Sequence, residues 1–185
     1  MKSKFFLLLT MLLIICCQNH TECIVRQWLG KTITLDVKPE MIAIGRQPII
    51  LESDFCVLNY VDSMGCVSCK MGLPKWKAFG AYIDSISGKH VPVVFIVQES
   101  VRRNVLYSMK ADGYYPDYVI VDKEDSFQKK YKFPAEDDMK TFLLDKTYRV
   151  IAIGNPINQE NVTSLYVSYI TKKKKIRYGW LIADV

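Results

Sequence analysis

Cys66 and Cys69 stand three residues apart in the string Asn59-Tyr60-Val61-Asp62-Ser63-Met64-Gly65-Cys66-Val67-Ser68-Cys69-Lys70-Met71-Gly72-Leu73-Pro74. Two thiols at this spacing suit thiol–disulfide exchange. A leading thiolate attacks a partner's disulfide, and the second thiol resolves the mixed disulfide, leaving the pair oxidised. The leading thiol must ionise near neutral pH, and the unpaired N–H groups and partial positive charge at a helix start favour that. In this reading Cys66 is the nucleophile and Cys69 the resolving thiol. Lys70 adds positive charge nearby, and Pro74 kinks the helix by removing one backbone hydrogen bond. A static disulfide and half of a zinc site are the competing readings. Zinc needs about four ligands. The remaining candidates are Cys23, Cys56, His20, His90 and carboxylates, with no second C-x-x-C. Neither a metal nor a cofactor is expected.

These residues must be held by elements around them. Phe55 to Val61 is a run suited to a buried strand, broken at Met64-Gly65. From Cys66 to about Ile86, Leu73, Trp76, Phe79, Ile83 and Ile86 recur at three- and four-residue steps, the spacing of a helix, closed by Gly88. Core packing accounts for Trp76, Phe79 and Tyr82 on it. Val91 to Val97 is a nearly all-apolar strand, as a covered central strand should be. Ser100 to Ala111 is a helix stopped by Asp112-Gly113, and Tyr118 to Val121 a third core strand. Thr141 to Leu144 and Val150 to Ile153 form a hairpin, and Val162 to Ile170 a last helix. Before all this, residues 18–31 suggest a tether and first turn. Thr32 to Val37, with Ile33, Leu35 and Val37 alternating, and Pro48 to Leu51 suggest a small hairpin or edge strands. The order predicts an α/β protein with strands of mixed direction.

The string Cys66, Cys69, Lys70, Met71, Pro74 resembles the active-site helix of the thioredoxin-like superfamily. Thr141-Phe142-Leu143-Leu144-Asp145, followed by Val150-Ile151-Ala152, is similar to the hairpin of its periplasmic, membrane-anchored thiol–disulfide oxidoreductases. The resemblance covers roughly residues 45–170. It implies a mixed central sheet flanked by helices, here with a short N-terminal β extension. It also implies protein thiols or disulfides as partners, with a redox partner protein to recycle the pair. Three departures bear on substrate choice and rate. The family's Trp before the first cysteine is Gly65. Its cis-proline falls on Met139, the nearest proline being Pro134. Its buried acidic or amide residue six positions before the first cysteine falls on Tyr60, with Asn59 (given a one-residue bulge) and Asp62 as alternatives.

Two other readings stay open. A thiol peroxidase uses the same fold but wants Pro and Thr before its reactive cysteine, where this chain has Tyr60, Val61 and Ser63. A non-catalytic binding lipoprotein would keep the fold and use its surface. Cys56 begins the strand that leads to the motif. At about 3.3 Å per residue it lies far from the active end, so a small core residue is expected there. His90 is expected in a surface turn.

The leader places the chain. Lys2 and Lys4 precede an apolar run from Phe5 to Ile15, shorter than the about 20 residues a spanning helix needs. Ile14-Ile15-Cys16-Cys17-Gln18-Asn19 resembles a bacterial lipoprotein signal, with Cys17 favoured over Cys16 as the residue that carries the acyl (palmitate) chains. The expectation is a signal peptide at 1–16, a tether and extension at 17–44, a thioredoxin-like domain at 45–170 and a basic tail at 171–185. The protein is then an exported lipoprotein, anchored to a membrane of a bacterial cell envelope, where disulfides persist. The formal net charge of +6 resides in Lys2 and Lys4 of the leader and in Lys172 to Lys175 and Arg177 of the tail, opposed there by Asp184. The body between them is formally neutral. A nucleic-acid surface, which needs basic residues spread over a folded face, is therefore not expected.

Overall fold

The computed structural model describes residues 20–35, 37–45 and 53–171, with the backbone alone for Cys69. The leader with Cys16 and Cys17, the strand expected at Pro48 to Leu51 and the tail from residue 172 onward lie outside the described residues.

Six strands form one sheet in the order β1-β4-β3-β2-β5-β6. They are β1 (Ile42–Ile44), β2 (Phe55–Val61), β3 (Val93–Gln98), β4 (Tyr118–Asp122), β5 (Thr141–Asp145) and β6 (Val150–Ile153). The helices are α1 (His20–Trp28), α2 (Val67–Met71), α3 (Leu73–Ser87), α4 (Arg102–Asp112), α5 (Ser126–Tyr131) and α6 (Glu160–Ile170). β2, β3 and β4 run parallel, while β5 is antiparallel to β2, β6 to β5 and β1 to β4. The mixed sheet flanked by helices is the predicted architecture.

Strand periodicity makes two cores. Val57 and Val61 of β2, with Val93, Phe95 and Val97 of β3, face α2, α3, α4 and α6, which contribute Met71, Trp76, Ile83, Met109 and Tyr166. Cys56, Leu58 and Tyr60, with Val94 and Ile96, face the opposite side, against Ile24, Val25 and Trp28 of α1 and Phe127 and Tyr131 of α5. Because helices cover both faces, β2 and β3 are apolar at nearly every position.

The N-terminal expectation changes most. The segment read as a tether and first turn contains α1, whose Trp28 is buried and stacks on Phe133 at 5.5 Å and Phe142 at 4.6 Å between ring centroids. Only three positions of this nine-residue helix are buried, Ile24, Val25 and Trp28, and they form one short apolar face. The alternation of Thr32 to Val37 correctly marks Ile33 and Leu35 as buried, but the described residues of the segment make one bridge, Thr32 to Arg149, and no strand. The β extension is instead Ile42–Ile44, paired on the outside of β4.

α5 was not anticipated. Its N-terminus is organised by one buried carboxylate, Asp122. Oδ1 accepts from the Ser126 hydroxyl at 3.0 Å and the Phe127 amide at 2.7 Å, and Oδ2 from the Gln128 amide at 3.1 Å and the Tyr60 hydroxyl at 3.3 Å. Tyr82 and Ile86, expected in the core, are exposed on the outer side of α3.

Candidate functional site

β2 ends at the sheet's C-terminal edge, and residues 62–66 carry the chain over to α2. Asp62 opens this loop: its Oδ1 accepts the Met64 amide at 3.1 Å, while the Ser63 amide donates to Gln98 Oε1 at 2.9 Å. Gly65 then sits at φ 71°, a left-handed conformation that strains any residue bearing a Cβ. That is a physical reason for glycine where the resembling family has tryptophan.

Cys66 is exposed, and its carbonyl accepts the Lys70 amide at 3.1 Å. It therefore occupies the N-cap of α2. It is disulfide-bonded, whereas Cys23 and Cys56 are free. The Ser68 oxygen lies 3.6 Å from Cys66 Sγ. Cys69 lies on the same short helix, α2. Cys56 is the expected core residue, and burial pushes its thiol pKa well up, with the Asp117 charge adding to the effect.

The helix is interrupted, but not by Pro74. The break falls at Gly72, at φ 53°, where a Cβ would meet Ile157 Cδ1 at 2.9 Å. Pro74 lies in the first turn of α3, where its missing N–H breaks no intrahelical bond. It starts a helix rather than kinking one.

Lys70 does not present a lone positive charge. Its ammonium donates to Asp62 Oδ1 at 3.2 Å and to Asp137 Oδ1 at 3.0 Å. Lys140 completes the group, donating to Asp62 Oδ2 at 2.6 Å and Asp137 Oδ1 at 2.7 Å, with its side chain only 4% exposed. Burial lowers the Lys140 pKa, but its hydrogen bonds to Asp137 and Asp62 outweigh it and leave the pKa raised. Burial likewise raises Asp137, and its bonds to Lys140 and Lys70 bring it net below the usual carboxylate value. The four charges tie the loop before β5 to the loop and helix that carry Cys66.

The residues singled out by resemblance separate here. Tyr60 packs in the second core, its hydroxyl donating to Asp122, although it also lines part of the pocket beside Asn59. Asn59 is buried, accepts a hydrogen bond from the Thr141 hydroxyl at 2.8 Å, and lines a pocket with Asp62, Lys70, Met71, Asp137, Lys140, Asn155 and Asn158. No bulge brings it there: β2 pairs in unbroken register with β3 and β5 through Asn59. Met139 packs against the second core, away from this pocket, and the neighbouring Lys140 lines it instead. Sequence reasoning missed Lys140 and Asp137. Lysine immediately before the apolar run of β5 was the available signal.

His90 is a turn residue, as expected, and it joins two carboxylates. Nδ1 lies 2.7 Å from Asp84 Oδ2 and Nε2 2.8 Å from Asp117 Oδ1.

No family model matches the chain, and no curated protein matches it. Solved structures do. A domain of a possible thiol-disulfide isomerase from Cytophaga hutchinsonii superposes with a TM-score of 0.52 at 17% identity, over 78% of this chain and 94% of that one. StoA from Bacillus subtilis gives 0.41 at 21% identity, over 55% and 75%. A thiol:disulfide interchange protein from a Bacteroides species gives 0.47 at 10%, over 66% and 76%. The first of these likenesses, with the six-stranded mixed sheet between its helix layers, establishes that the chain has the thioredoxin-like fold.

Proposed function

We propose that this protein exchanges disulfides with protein partners through a Cys66/Cys69 dithiol. The observation that carries the reading is an exposed, disulfide-bonded Cys66 at the N-cap of the helix that follows the central strand. Cys69, three residues on, is the partner proposed for that bond, since i and i+3 share a helix face. In the reducing direction the Cys66 thiolate attacks one sulfur of the substrate disulfide. The substrate S–S bond breaks, one substrate thiolate leaves and takes up a proton, and a mixed disulfide forms. The Cys69 thiolate then attacks Cys66 Sγ, releasing the second substrate thiol. Two electrons pass from the pair to the substrate, and a dithiol partner protein returns them. The oxidising direction is the reverse, and the redox potential of the pair decides between them.

Asn59 and Asp62 lie on the helix side of β2 and in the loop beyond it, and are proposed to move the proton of the resolving thiol. Lys140 holds Asp62 in place. The leader and the Cys17 motif support an exported, lipid-anchored protein acting in an oxidising compartment. The test is reduction of insulin by wild type and Cys66→Ser. Turnover by wild type and loss in the variant is the expected result. Equal background rates in both would leave the binding lipoprotein, the reading favoured by a non-proline residue at Met139.

A further inference from the structure

A second concavity borders Cys66, on the side away from the charge cluster. It is a groove of about 500 Å³ between the loop of Ser63 to Cys66, α2 and α4, lined among others by Cys66, Ser68, Arg103, Asn104, Tyr107 and Ser108. Among the described residues, Arg103 is the only charged one lining it, and it is exposed. The ion pairs of the described residues engage neither Arg102 nor Arg103. Tyr107 is 74% exposed, and Met64, at the tip of the adjoining loop, 69%. Two large side chains in water beside a disulfide-bonded cysteine form a surface with no internal use.

We infer that this groove selects protein substrates that carry a carboxylate next to the cysteine under attack. The inference rests on the exchange reading and adds the class of substrate to it. Hydroxyls and the Asn104 amide offer hydrogen-bond partners to an extended peptide backbone, and Tyr107 offers a rigid ring with little entropy to lose on contact. Arg103 supplies the sign. A guanidinium fork that pairs with no carboxylate among the described residues favours a planar, bidentate carboxylate over a neutral or cationic side chain. Because the groove includes Cys66 itself, an occupant that meets Arg103 lays its neighbouring sulfur at the reacting atom. A basic segment is repelled, so one residue both attracts and excludes.

The experiment uses the full chain in detergent. Three peptides joined through a disulfide to a quencher differ only in Asp, Ala or Lys beside the cysteine, and neutral hydroxyethyl disulfide is the fourth substrate. In wild type, kcat/KM for the Asp peptide is expected to exceed that for the Lys peptide about fivefold, the scale of a partly exposed ion pair. The ratio falls toward one in Arg103→Ala, inverts in Arg103→Glu, and shrinks in high salt. Equal values for the three peptides in wild type, or a ratio unmoved in Arg103→Glu, would overturn the inference while hydroxyethyl disulfide is still reduced. Binding of the same peptides with serine in place of cysteine is measured in parallel. If no disulfide is turned over but the Asp peptide binds tighter than the Lys peptide, and Arg103→Glu reverses this, the exchange reading fails and the groove stands. Equal binding in that case removes both.

Discussion

Lys140 Nζ lies 2.6 Å from Asp62 Oδ2, which fastens the residue before β5 to the loop that delivers Cys66. With Asp137 and Lys70, this contact ties the segment before β5 to that loop by charge.

Replacing Lys140 by Met removes the cation and leaves Asp62 and Asp137 sharing only Lys70. Breaking a buried pair on one side is costly, and partial exposure of Asp137 reduces the cost to about 2 kcal/mol. Urea denaturation of wild type and variant measures it. An unchanged midpoint would show that the cluster contributes nothing.

The same cluster fixes a direction with pH. Asp137 has a pKa below its unfolded value, so its contribution is present above the ordinary carboxylate range and is lost as pH falls through the depressed value. Lys140 has a pKa above its unfolded value, so its contribution is complete below the ordinary lysine value and is lost as pH rises through the raised one. Stability of wild type should decline at both extremes, and Lys140→Met should flatten both shoulders. Midpoints collected in acid and in alkali check this.

His90 gives a third pH signature. Its hydrogen bond to Asp84 raises the pKa, burial opposes this, and Asp117 adds to the rise. The contribution is therefore full below about 6.5, the unfolded value, and is lost as pH rises through the raised folded value. Both carboxylates also bind backbone amides, Asp84 that of Val91 and Asp117 that of Val93. The clamp thus secures the entry to β3. Comparing wild type with His90→Gln from pH 5 to 9 should show a stability difference that fades toward the alkaline end.

Trp28→Ala should cost about 3 to 5 kcal/mol, the range for a fully buried aromatic, although α1 lies before the resembling region. A cost under about 1 kcal/mol would return α1 to the role of a tether. Gly72→Ala meets both a left-handed φ and Ile157, and should destabilise by more than about 1 kcal/mol in the same assay.

The central strands were legible because burial on both faces forces unbroken apolar runs. β2 and β5 begin at the predicted residues, and β6 spans the predicted ones. The N-terminal helix is short: Ile24, Val25 and Trp28 do fall on one helical face, but a stripe of three residues beside the leader is too brief to distinguish from a tether. α5 was hidden for another reason: its organiser, Asp122, sits at the end of the preceding strand, and a buried carboxylate that serves a hydroxyl four residues ahead and amides five and six residues ahead leaves no local pattern. Within the site, Cys66 could be placed at a helix start from strand, glycine and spacing alone. The partners of Lys70 could not, since Asp137 and Lys140 are close to it only after β5 has paired with β2.

Cys56, sealed within β2, gives the protein an internal clock. A thiol reagent reaches that sulfur only when the middle of the sheet comes apart, so its rate of alkylation measures how often the molecule opens. Cys23 is exposed and reacts directly, so the reading is taken at the Cys56 peptide alone.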